Sequence, residues 1–155
     1  MGKAKFTRRG FLTGAGVVVL GGAAIFGASW FNIGAQAGLD GTLTTPQAHE
    51  AAVSGAIILV DIRRPDEWAR TGVGEGAVPI NMLDRNFIDQ VSAQVDGDHS
   101  RAVALICARG VRSRKMAARL QQAGFTNIID VPEGMLGSGA GAGWIKRGLP
   151  TVAKN

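Results

Sequence analysis

The sequence predicts an α/β domain with a mostly parallel sheet, on three observations. Short, nearly continuous apolar runs recur between residues 56 and 131, as strands covered on both faces require. Segments with helical spacing alternate with them at short intervals. The length of 155 residues allows one domain with a real core and makes a second unexpected.

The elements follow in order. Residues 38–49 read as a linker and the start of the first helix, and 50–152 as the domain proper. Thr44 or Thr45 caps a helix with Pro46 in its first turn, which runs to about Ser54 and ends at Gly55. The run 56–62 is the first strand. Arg63-Arg64-Pro65-Asp66-Glu67-Trp68 forms a strand-end loop leading into a short helical turn, with Trp68 in the core. A short strand over 76–80 is limited by Pro79. Phe87, Val91 and Val95 recur at spacing four within 86–95, which makes one buried helical stripe closed by Asp96-Gly97-Asp98. Residues 102–106 form the next strand. A helix over 113–123 turns Met116, Ala117 and Leu120 inward and stops at Gly124. The segment 125–131 holds a further strand.

Composition and charge narrow the rest. One Cys excludes an intramolecular disulfide framework and a Cys-rich structural zinc site. Of the 17 basic residues, Lys3, Lys5, Arg8 and Arg9 precede residue 10, and no acid precedes Asp40. That leaves 13 bases against 12 acids in 38–155, so a nucleic-acid partner is not expected. His49 reads as a helix-surface residue and His99 as a turn residue. No metal site or nucleotide fingerprint follows, and no cofactor is expected.

Residues 1–37 have the layout of an export segment: a basic start, an apolar stretch clearest over 17–31, and the small-residue triplet Ala35-Gln36-Ala37. Thr7-Arg8-Arg9-Gly10-Phe11-Leu12 resembles the twin-arginine export pattern, although Thr13 stands where that pattern often has Lys. The resemblance implies export of a folded domain to a bacterial periplasm, with cleavage after Ala37. The alternative is an uncleaved segment, with residues 10–33 as an inner-membrane anchor.

The tail 134–148 carries six glycines, interrupted by Met135, Leu136 and Trp144. Such a run is expected to need demanding backbone angles or a close approach to something, with Trp144 and Leu149 pinning its far end.

The chemistry concentrates at Cys107-Ala108-Arg109-Gly110-Val111-Arg112-Ser113. An apolar strand ends at Ile106 and a helix begins near Ser113, so the loop lies beyond the carboxyl end of a strand, where ligands of α/β sheets bind. A loop wrapping back onto a helix N-terminus turns backbone N–H groups and the positive dipole end toward one point, which favours a thiolate. Gly110 allows the turn. Arg109 and Arg112 add positive charge, which Arg114 and Lys115 extend against the helix dipole. A free Cys is most often a buried apolar residue. Two arginines and a glycine just after it argue for a reactive rim instead.

These residues resemble the active-site loop of single-domain rhodaneses, the thiosulfate sulfurtransferase family. Leu59-Val60-Asp61-Ile62-Arg63, Pro65-Asp66-Glu67-Trp68, Gly76-Ala77-Val78-Pro79-Ile80-Asn81, Met116-Ala117-Ala118-Arg119-Leu120 and Gly148-Leu149-Pro150 follow the family in order. The resemblance covers about 50–152 and implies a mostly parallel five-stranded sheet flanked by helices. It also implies a Cys107 persulfide, held by the N–H groups of Ala108, Arg109, Gly110, Val111, Arg112 and Ser113. The sulfur comes from a small anionic donor and leaves to a thiol or cyanide. Arg112 is expected to orient the donor, with Arg109 beside it, while Asp61 and Arg63 support the cradle. Ala77 stands where the family often has His, and 134–143 replaces the family's short Gly-Gly turn. A non-catalytic sulfur-binding module, with a periplasmic protein partner docking at 134–143, is the competing reading. Phosphatase loops place Arg six positions after Cys, where this chain has Ser113.

Overall fold

The computed structural model describes residues 41–154, so the export segment expected over 1–37 lies outside the described residues. In chain order the elements are α1 (Thr45–Val53), β1 (Ile58–Asp61), α2 (Pro65–Thr71), β2 (Val73–Gly74), β3 (Ala77–Pro79), α3 (Phe87–Gln94), β4 (Val103–Ile106), α4 (Val111–Gln122), β5 (Ile128–Asp130) and β6 (Thr151–Val152). β3, β1, β4 and β5 lie side by side in that order, all parallel, and β2 pairs antiparallel with β6.

Period-two alternation explains how so short a sheet supports two cores. Val60, Val103 and Leu105 face one side, where Phe87, Val91, Val95, Met116 and Leu120 pack on them. Leu59, Ala104 and Ile106 face the other, against Leu43, Ala48, Met135 and Trp144. β4 is buried along its whole length and ends directly at Cys107. The helical stripe of Phe87, Val91 and Val95 is fully buried, and Trp68 lies in the core.

Two expectations need correction. Among the described residues the parallel sheet has four strands rather than five. At its β5 edge a single parallel bridge joins Thr42 to Asp130, with Leu43 N–H donating to Asp130 O at 3.0 Å. The chain cannot stay extended there, because Thr44 caps α1, its N–H bonded to Gln47 Oε1 at 3.0 Å. The helix after the loop starts at Val111 rather than near Ser113. Gly110 takes the cap position in the left-handed region, with φ +80°.

Asp61 and Arg63 form a fully buried ion pair at the end of β1. Arg63 Nη2 lies 2.7 Å from Asp61 Oδ2, and Nε donates to Oδ1 and Oδ2 at 2.9 and 3.0 Å. The remaining donors reach Thr71 Oγ1 at 2.8 Å and Gly72 O at 2.7 Å. The pair therefore ties β1 to the far end of α2. Removing one partner strands a buried charge, so Arg63→Met should destabilise the fold by about 3–5 kcal/mol in urea titration. Arg64→Met, which breaks an exposed pair with Asp66 and a longer one of 3.5 Å to Glu67 from a half-exposed side chain, should cost no more than about 1 kcal/mol.

Candidate active site

The turn after β4 holds Cys107 against the start of α4. Cys107 is 1% exposed. Gly110 N–H donates to its sulfur at 3.1 Å, and the thiol donates to Ser113 Oγ at 3.7 Å. Ser113 Oγ in turn donates to Gly110 O at 2.9 Å. The positive end of the α4 dipole faces this turn.

The loop is seated on the segment that follows β5. Met135 N–H donates to Cys107 O at 2.8 Å and Leu136 N–H to Ala108 O at 2.9 Å. Two glycines permit this approach. A Cβ on Gly110 would collide with Pro132 O, and one on Gly134 (φ +66°) would stand 2.5 Å from Ala108 O.

Arg112 is fixed by a residue 45 positions earlier. Its Nη1 and Nη2 donate to Glu67 Oε2 and Oε1 at 2.7 and 2.6 Å. The Arg112 hydrogen bond holds the Glu67 carboxyl down at about 2, well below its ordinary value. Glu67, and to a lesser degree the Cys107 sulfur, raises Arg112. A bidentate pair of this kind sets both position and orientation of the guanidinium. The expected orienting group is thus present beside the sulfur, with much of its charge already answered.

The structure brings Cys107, Ala108, Arg109, Gly110, Val111, Arg112 and Ser113 into one turn. Asp61 and Arg63 make no hydrogen bond to that turn. Their contacts run instead to Thr71 and Gly72 at the end of α2, whose first turn carries Glu67. Arg109 is exposed and reaches Gly137 O at 3.4 Å.

Three further residues are not evident from sequence. Glu67 belonged to an acidic turn without an assigned partner. Asp130 lies near Ser113: burial pushes its carboxyl up against the pull of Ser113 and Arg114, and its Oδ1 has no hydrogen-bond partner among the described residues. Glu133 is 1% exposed and gathers Gly143 N–H at 3.0 Å, Arg147 Nε at 2.8 Å and Thr45 N–H at 3.4 Å. Burial pushes the Glu133 carboxyl up, but Arg147 and these N–H groups outweigh it and hold it below the ordinary range. Its signal was only a lone acid ahead of the glycine run.

That run is a folded strap. Ser138 and Gly141 exchange backbone hydrogen bonds at 2.9 and 3.2 Å, closing a tight turn. Trp144 is fully buried and its Nε1 donates to Pro150 O at 2.8 Å, while Leu149 packs partly buried behind it. His49 lies edge-on to Trp144 and 2.8 Å from Glu75 Oε2. Among the described residues no three His, Cys, Asp or Glu side chains cluster to hold a metal ion.

The rhodanese-like domain family matches residues 44–138 of the chain. Thiosulfate sulfurtransferase 16, a chloroplastic protein of Arabidopsis thaliana, is 31% identical over 115 residues, covering 68% of this chain and 88% of that protein. Among solved structures, a Rhodopseudomonas palustris protein of unknown function, described as a possible tyrosine phosphatase, superposes with a TM-score of 0.56 at 24% identity. The match covers 90% of this chain and all of that one. The polysulfide-sulfur transferase homodimer of Wolinella succinogenes gives 0.57 at 21% identity, over 85% of this chain and 90% of its own.

The Glu67–Arg112 pair sets a pH dependence. A carboxyl lowered in the folded state stabilises it above the unfolded value and loses that effect on acidification. The stability gap between wild type and Glu67→Gln should be full above about pH 4.5 and vanish near pH 2. With the pair partly exposed, the gap should not exceed about 1 kcal/mol in urea titrations across that range.

Proposed function

The chain belongs to the rhodanese-like domain family, and on that premise we propose that it is a sulfurtransferase working through a Cys107 persulfide. One observation carries the reading: the Cys107 sulfur accepts the Gly110 N–H at 3.1 Å at the start of α4, a setting that stabilises sulfur anions.

The Cys107 thiolate attacks the outer sulfur of a thiosulfate-like donor. A bond forms between Sγ and that sulfur, and the donor's S–S bond breaks with its electron pair leaving on sulfite. The persulfide is an anion in a cradle of fixed N–H dipoles, which need no reorganisation as charge moves. An S–S bond spans about 2.05 Å, so the transferred sulfur stands outward of the buried Sγ, where an acceptor can meet it. A thiol or cyanide then takes that sulfur and the pair returns to Sγ. Arg112, held by Glu67, keeps positive charge beside both anions, and Arg109 offers a cation at the rim.

A second reading, a sulfur carrier serving a protein partner, draws on Val111 and Leu136. They are 66% and 44% exposed on either side of the loop. High thiosulfate:cyanide turnover by the full chain favours the enzyme; persulfide formation with poor turnover favours the carrier. Phosphate release from a phosphate ester exceeding sulfur transfer would overturn both.

The location of this chemistry is also a proposal. The residue pattern of 1–37 supports twin-arginine export to the periplasm, and N-terminal sequencing of the exported protein should begin at Gly38.

Mass spectrometry after thiosulfate treatment should find one added sulfur, about 32 Da, on Cys107. The variant Cys107→Ser should stay unmodified and inactive, and an unmodified wild type at thiosulfate excess would remove the mechanism.

A further inference from the structure

A groove of about 340 Å³ lies beside the Cys107 turn, between the first turn of α4 and residues 138–140. Arg109, Arg114, Lys115 and Ser138 line it, and Cys107 does not. Its volume falls within the roughly 300–1,000 Å³ typical of sites for small organic molecules. An inorganic donor anion would leave most of it empty.

No carboxylate among the described residues pairs with the charges on its wall, and Arg109 meets only the Gly137 carbonyl at 3.4 Å. Arg109, Arg114 and Lys115 are exposed, and among the described residues none forms an ion pair. Asp130 feels the charge of Arg114 without forming an ion pair with it. The first turn of α4 contains no acid, so these cations oppose the helix dipole and lower helix stability. Arg112 is spent on Glu67. The groove thus presents several cations to something larger than the donor, next to the reacting sulfur.

We propose that this groove binds the carboxylates of the sulfur acceptor, a small thiol bearing two or more of them, with its thiolate turned toward the Cys107 persulfide. The assignment rests on the sulfur-transfer reading above. In the step it serves, the acceptor thiolate attacks the outer persulfide sulfur. The new S–S bond forms on the acceptor, the Sγ–S bond breaks, and its electron pair restores the Cys107 thiolate. One anion enters as thiolate and one leaves as persulfide, with no net oxidation.

The test uses the full chain loaded with thiosulfate, reacted in single turnover with mercaptosuccinate, a dicarboxylate thiol, and with 2-mercaptoethanol, which has no carboxylate. In R114Q/K115Q, transfer to subsaturating mercaptosuccinate should slow by about tenfold or more, the worth of one charge-assisted contact. Transfer to 2-mercaptoethanol and thiosulfate loading should stay within about twofold, since both substitutions are on the surface. Equal loss with both thiols, or loss with neither, overturns the groove. If no persulfide forms, the sulfur-transfer reading fails first, and calorimetry with mercaptosuccinate decides the groove. Binding weaker by about tenfold in the variant supports it, and equal affinity overturns it.

Discussion

The site depends on one backbone-to-backbone seating. Ala108 and Cys107 give their carbonyls to Leu136 and Met135, and Gly110 lies against Pro132 O. This contact holds only if two positions lack a Cβ. Given Gly110 and Gly134, the turn closes tightly enough for an N–H to reach the sulfur. Gly110 also caps α4 in the left-handed region. One residue thereby sets the loop's shape, the helix's starting point and a donor to the Cys107 sulfur.

Charge is divided on the same plan. The fully buried ions are answered: Asp61 by Arg63, and Glu133 by Arg147 with backbone donors. Arg112 meets Glu67 at the margin of the sulfur. Arg109 in the turn and Arg114 and Lys115 on α4, all without an ion pair among the described residues, border the glycine strap. Coulomb attraction weakens quickly in water, so those outer charges contribute little until a ligand excludes solvent. The inner ones are positioned in advance.

Much of this was legible in the chain. Phe87, Val91 and Val95 announced a helix because a buried stripe must repeat with its period. The apolar runs announced parallel strands because both faces are covered. Cys107 with Gly110 and Arg112 announced the turn. The rest depends on distance in sequence. Glu67 meets Arg112 across 45 positions, and Glu133 meets Thr45 across 88; neither has a local pattern. The missing fifth strand followed from a cap: Thr44 and Gln47 committed the chain to helix before the edge could extend. Helix α4 began early because a glycine cap outweighed the hydroxyl of Ser113 as a start signal.

The strap has a further property. Its two ends are fastened to each other: Trp144 N–H donates to Gly134 O and Ile145 N–H to Met135 O, both at 3.0 Å. Between them Ser138 and Gly141 close on each other. Residues 139 and 140 therefore form the tip of a loop closed at its base and again at Ser138–Gly141. Their length and composition can drift while Cys107 stays where it is, so such change would reshape the wall of the groove and leave the turn itself alone.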